Sequence, residues 1–223
     1  MKIVKPSYEI NVTKESAEQM LLNIEKCGRL CYKSEPMTVD NPIERANKFI
    51  SDKIKAGHES IIEHEKVTVF ITCDRGVTHE IVRHRLASYS QESTRYCNYS
   101  KDKFGNEITV IDIASGFKYD LNNDIDRKKY EVWQEAIRNA EKSYFELLEL
   151  GAKPQEARSV LPNSTKAEIA VTMNMRSWRH FFKLRAIGTT GAPHPQMKEI
   201  ALPMLKDFYK LFPGIFEDLI DKT

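Results

Sequence analysis

The chain has no long apolar run. Nothing approaches the roughly 18 consecutive hydrophobic residues that a membrane-spanning helix needs, so no such span and no membrane partner is expected. The opening Met1-Lys2-Ile3-Val4-Lys5-Pro6 lacks the apolar stretch of a secretory signal. Cysteine is scarce: Cys27, Cys31, Cys73 and Cys97 are scattered through 223 residues, a usage that fits a reducing cytoplasm. An excess of one charge is missing too. Lysine and arginine total 34 against 32 acids, a formal charge of +2, which gives no bulk drive toward nucleic acid. Any anion site must come from local clustering. The glycine-rich fingerprints of Rossmann and P-loop folds are absent, so neither common phosphate cradle applies. No repeat, low-complexity segment or linker divides the chain, which reads as one domain over residues 1–223.

What is present supports a folded core, with 41% hydrophobic residues. Residues 1–12 read as extended. Thr13 or Ser16 caps a helix to about Tyr32, with Met20, Ile24, Cys27 and Cys31 on one face. Two readings of Cys27 and Cys31 stand: a shared metal, for which no second ligand pair has matching spacing, or buried reduced thiols. Asp40-Asn41-Pro42 starts a second helix that Gly57 ends. Lys66 to Thr72 is a β-branched strand. Asp74-Arg75-Gly76 reads as a turn, and Val77 to about Ala87 as a helix. A polar loop over 100–107 precedes a strand over 108–113. A long helix from about Asp126 to Leu150 carries the stripe Tyr130, Trp133, Ile137, Ala140, Tyr144 and Leu148, with Gly151 as its stop. A short helix between Pro154 and Pro162, a strand from Thr165 to Met175 and helices over Trp178–Ala186 and Gln196–Leu211 complete the reading; Pro203 is expected to bend the last. The pattern predicts an α+β fold, with helices packed on a small, largely antiparallel sheet.

The chemistry concentrates in Arg83-His84-Arg85-Leu86-Ala87-Ser88-Tyr89-Ser90-Gln91-Glu92-Ser93-Thr94-Arg95-Tyr96. Guanidinium forks fit phosphate and carboxylate oxygens in pairs. The helix reading sets Arg83 and Arg85 on different faces, suited to two ligands; the bland alternative is a basic helix end meeting its own dipole. In Gly57-His58-Glu59-Ser60-Ile61-Ile62-Glu63-His64 the histidines stand six apart, not four as on a zinc-protease helix. That segment is either a loop placing polar groups near a ligand or a helix-start turn. Arg185 lies near Trp178, Phe181 and Phe182, as a ligand contact or as a snorkelling side chain. Pooled, Arg83 with Arg85, Arg95, Arg158, and Arg176 with Arg185 suit a nucleotide monophosphate plus a dinucleotide cofactor.

Four segments, in order, give the chain a resemblance to the flavin-dependent thymidylate synthases: Gly57-His58-Glu59-Ser60 with Glu63-His64; Arg83-His84-Arg85 with Ser93-Thr94-Arg95-Tyr96; Ala157-Arg158 with Leu161-Pro162; and Asn174-Met175-Arg176-Ser177 with His180 and Leu184-Arg185. The resemblance implies methylation of dUMP to dTMP with 5,10-methylenetetrahydrofolate as carbon donor and NADPH-reduced FAD as hydride source, in a homotetramer whose sites are shared between subunits. It implies Glu80, Arg83, Gln91, Glu92, Ser93, Thr94, Arg95, Arg158 and Arg185 around dUMP, with Arg185 catalytic. It implies His58, Ser60, Arg83, His84, Arg85, Gln91, Asn174, Met175, Arg176 and His180 around FAD, and no metal. Gln91 stands where many members have Glu, Ser60 where Thr is frequent, and the segment between Arg185 and His194 is longer than the pattern suggests. The competing reading is a non-catalytic nucleotide- or RNA-binding domain using the same arginines, against which the near-neutral charge weighs.

Overall fold

The computed structural model describes residues 1–101 and 105–223. The polar loop expected over 100–107 therefore lies partly outside the described residues. The strands are β1 (Lys2–Val4), β2 (Ser7–Ile10), β3 (Lys66–Asp74), β4 (Ala87–Gln91), β5 (Thr109–Ile111) and β6 (Lys166–Asn174). The helices are α1 (Lys14–Leu30), α2 (Pro42–Lys55), α3 (Arg75–Ile81), α4 (Asp124–Glu149), α5 (Pro154–Ala157), α6 (Met175–Phe182), α7 (Pro195–Leu211) and α8 (Pro213–Ile220). A four-stranded sheet has the order β2-β3-β6-β4. A second sheet pairs β1 with β5 in parallel, from Lys2↔Thr109 to Val4↔Ile111, a parallel element the sequence reading did not include. The chain divides into two compact units: residues 1–7, 71–83 and 90–169 form one, and residues 8–70, 84–89 and 170–223 the other.

In the first unit, Ile137 and Tyr144 of α4 pack with Tyr99, Ile108, Val110 and Ala157. Asn123 caps α4 through Ile125 N and Asp126 N, and Gly151 ends it at φ +91°, where a side chain would be strained. In the second unit, Trp178 and Phe182 of α6 meet Phe208, and Phe182 also meets Phe216, while Phe181 packs on Trp178 and Phe182 and Phe212 on Phe208; all are edge-on or tilted, the favoured geometries for ring quadrupoles. Trp178 donates its indole N–H to Val67 O at 3.1 Å, so the ring is buried without an orphaned donor.

Charges are buried in that unit only with partners. Glu25 is held by Arg45 and Arg29; burial pushes its carboxyl up, but the two guanidinium groups outweigh this and hold it below the usual range. Arg179 is 1% exposed. It donates to Asp218 Oδ1 and Oδ2 at 2.7 and 2.9 Å, to Ile215 O, and to Glu59 at 3.4 Å.

Asp74-Arg75-Gly76 is not the expected turn: Asp74 caps α3, which opens at Arg75. Two further expectations fail. The helix predicted from Val77 to Ala87 stops at Ile81. Val82 and Leu86, apolar residues of that stretch, are 42% and 82% exposed. Leu86 adopts φ +63°, a left-handed turn that costs a non-glycine residue about 1–3 kcal/mol. The residues after it join β6 as an edge strand, and ladder hydrogen bonds outweigh local helical spacing. Arg-His-Arg thus occupies a turn, not a helix end, and the argument from helix faces does not apply. The second failure is Cys31, which is exposed, with Cys27 half-buried, so the pair is not the buried thiol pair expected. Helix α8 also escaped the sequence reading. Its Gly214 N–H donates to Asn47 Oδ1 at 2.8 Å, and a Cβ there would lie 2.7 Å from Asn47 Cα. Gly214→Ala should therefore destabilise the protein by about 1–3 kcal/mol through overpacking, read as a lower denaturation midpoint.

Candidate active site

In the first unit, Ser90 and Gln91 at the end of β4 lead into a tight turn. Gln91 donates from Nε2 to Thr78 Oγ1 at 3.1 Å, tying the strand end to α3. Glu92 N donates to Glu168 O at 2.8 Å. The Ser93 carbonyl then accepts from Tyr96 N and Cys97 N at 3.1 and 2.9 Å, and its hydroxyl accepts from Arg95 N at 3.3 Å. Buried Thr94 accepts from Arg158 Nη1 at 3.3 Å, and Arg95 donates to Gln155 Oε1 at 3.3 Å. Arg158, set at the end of α5 by the Pro154 start, thus shares a cluster with Ser93, Thr94 and Arg95. Both residues are exposed and donate to neutral oxygens, with the Arg95 guanidinium also over the Tyr96 ring, so their charge remains available to an anion. Glu80 is half-buried on α3, and Arg83 ends this stretch exposed.

The second unit gathers another set. His84 is buried, with its ring edge-on to Phe181 and 5.9 Å from His180. Its carbonyl accepts from Tyr89 OH at 2.5 Å. Arg185 donates from Nε to His84 Nε2 at 3.0 Å. That bond requires a neutral imidazole with its proton on Nδ1. Burial, then the Arg185 cation and His180, push the His84 pKa down to about 4. Arg185 lies on a π-helical turn, Lys183–Ile187, which follows α6. Such turns often mark functional positions. Arg176 pairs with Glu63 at 2.5 Å and with Glu59 at 3.6 Å. Asn174 caps α6 by accepting from Ser177 N at 2.8 Å, and Met175 is buried behind it. His58, Ser60, Arg85 and His180 are exposed. Within the segment 57–64, Glu59–Glu63 is a short 3-10 helix whose acids pair with Arg176 and Arg179.

The family model for the thymidylate synthase complementing protein matches residues 14–214. The chain is 36% identical over 176 residues to the flavin-dependent thymidylate synthase of Pyrococcus abyssi, covering 75% of this chain and 67% of that one. The chain belongs to the flavin-dependent thymidylate synthase family. Another member, from Geobacter sulfurreducens, is 32% identical over 197 residues, 86% of this chain and 78% of that protein. The fold is also that of a UMP/dUMP methylase, PolB from Streptomyces cacaoi, solved with 5-Br dUMP: TM-score 0.78 at 22% identity, covering 97% of this chain and 96% of that chain.

For a flavin-dependent thymidylate synthase, the motif residues fall into two gathered sets. Gln91 to Arg95 with Arg158 form one, and His84, His180 and Arg185 the other. Arg176 instead pairs with the 3-10 acids. Sequence reasoning missed Tyr99, Thr78 and Lys166, which hold motif residues without belonging to a motif. Tyr89 lies in the polar run itself, but nothing in the sequence marks its bond to the His84 carbonyl.

The His84 shift makes a stability prediction. Its ordinary value of 6.5 applies when unfolded and about 4 when folded, so the unfolded chain takes up the proton first. The contribution is intact above pH ~6.5 and is lost as pH falls toward ~4. Between pH 7.5 and 5, wild type should lose roughly 1–2 kcal/mol more than His84→Gln in denaturant titrations. Equal losses in both proteins would show that His84 is not held neutral.

Proposed function

We propose that the protein methylates dUMP to dTMP, taking carbon from 5,10-methylenetetrahydrofolate and hydride from FAD reduced by NADPH. One observation carries this reading: the family match spans residues 14–214 and contains Arg83-His84-Arg85 with Ser93 eight residues beyond Arg85. The family match does not support a non-catalytic nucleotide- or RNA-binding module.

In this reading the Ser93–Arg95 turn receives dUMP, and Arg158 takes its phosphate. Glu80, Arg83 and Gln91 complete the nucleotide set. Arg185 stands against the uracil ring. A fixed cation beside N3 favours loss of its proton, and the resulting anion makes C5 more nucleophilic. The Nε bond to neutral His84 fixes the guanidinium plane for that task without neutralising it. Cys73 is not activated as a nucleophile: burial, then Asp74, push its thiol far up.

The donor set fits FAD. Among the described residues, the exposed side chains of Arg83 and Arg85 have no ion-pair partner, which suits a pyrophosphate. The neutral His84 ring, His58, His180 and Asn174 suit the polar edge of a flavin, and Ser60, Gln91, Met175 and Arg176 complete the proposed set. Bound FAD supplies the hydride; the chain supplies orientation and charge. We also infer a cytoplasmic homotetramer with shared sites. Leu30 and Met37, 72% and 71% exposed, offer apolar surface of the kind an assembly buries.

The test is dTMP formation from dUMP, methylenetetrahydrofolate and NADPH by the purified flavoprotein. Arg185→Ala should abolish turnover while the flavin absorbance band stays with the protein; full turnover would remove Arg185 from the chemistry. Arg158→Ala and Arg95→Ala should each weaken dUMP binding by about 1.5–3 kcal/mol, the loss expected for a charge-assisted contact. Unchanged affinity in calorimetry would refute their placement on the nucleotide.

A further inference from the structure

Glu92 immediately precedes the turn assigned to dUMP, yet its carboxylate is engaged within the protein. Oε1 accepts from Tyr99 OH at 3.1 Å. Oε2 lies 3.0 Å from Lys166 Nζ, an ionic contact out of line for a directed hydrogen bond, and is sealed from solvent. Lys166 is braced in turn by Glu168 at 2.6 Å, and Tyr99 N donates to Tyr144 OH at 3.3 Å in the aromatic core. Burial pushes the Lys166 ammonium down, but Glu168 and Glu92 outweigh it, so the cation is held in its charged form. With its backbone N–H on Glu168 O as well, Glu92 is fixed at three points to β6 and the core. A carboxylate whose two oxygens are already engaged has no strong acceptor left for a nucleotide, and beside a phosphate it would repel.

We propose that Glu92, with Tyr99 and Lys166, is a positioning group that holds the Ser93–Arg95 turn in the shape receiving the nucleotide, without touching it. This rests on the dUMP reading above. The Ser93 carbonyl, which closes the turn through Tyr96 N and Cys97 N, follows Glu92 directly. Slack at Glu92 passes straight into the groups that meet the ligand. Glu92→Gln keeps the side chain's shape and removes the ionic hold; Tyr99→Phe removes one hydrogen bond.

The experiment uses the full-length flavoprotein. Amide hydrogen exchange over residues 93–97 is followed alongside dUMP calorimetry and flavin retention. In Glu92→Gln, exchange of the Tyr96 and Cys97 amides should quicken and dUMP affinity should fall about tenfold, with flavin retained. The double variant Glu92→Gln/Lys166→Met should lose less than the two single losses combined, because both act through one contact. Unchanged exchange overturns the inference, whether dUMP affinity is kept or lost; lost affinity with a rigid turn would make Glu92 a direct ligand. Equal loss of flavin and dUMP would also overturn it, as general disruption. Should Glu92→Gln fail to fold, Tyr99→Phe carries the same readouts. If wild type binds no dUMP, the functional reading fails, while the exchange data still decide whether Glu92 holds the turn.

Discussion

The docking of Ala87–Gln91 against β6 is the constraint on which the site depends. It takes a segment whose own spacing favours a helix and makes it an edge strand. The cost appears at Leu86, forced into a left-handed turn with its side chain in water. In return, the residues before the strand turn sharply and those after it form a tight loop. The arginines and hydroxyls of the motif therefore belong to two bends joined by a short strand, each braced from a different neighbour.

One electrostatic contrast runs through the motif residues. Arg158 and Arg95, assigned to the nucleotide, donate to the neutral oxygens of Thr94 and Gln155. Cations that build the structure are held by carboxylates: Arg179 by Asp218, Arg45 by Glu25, Lys166 by Glu92. A neutral partner fixes direction and leaves the charge for an incoming anion, whereas a carboxylate cancels it. Arg176, on two acids, falls with the second group in this conformation.

Much of the fold was legible because several elements carry agreeing signals. Thr13 and Asn41 are the caps the sequence suggests, and Gly151 ends α4 as expected. The alternation Val67, Val69, Ile71 and Ala167, Ile169, Val171, Met173 is the buried face of the two longest strands. Strand β4 was not legible: Ala-Ser-Tyr-Ser-Gln has little strand propensity, and only pairing with β6 makes it one. Helix α8 was hidden because Pro213-Gly214 reads as a breaker, although proline is at home in a first turn and the glycine is needed for close approach to Asn47. For the site, the arginines and Ser93 were visible as a pattern. Lys166 and Tyr99 were not, since a lone lysine opening a strand and a lone tyrosine in a loop have no spacing that marks them.

The buried guanidinium of Arg179 has a consequence for the tail of the molecule. Its acid and its carbonyl both come from the final helix, so that helix neutralises a charge lodged among aromatic rings. Clipping the polypeptide ahead of Ile215 would leave that guanidinium, 1% exposed, with Glu59 as its remaining acid. An under-compensated buried charge costs about 3–5 kcal/mol, so the tail is a structural member and not a trailing end.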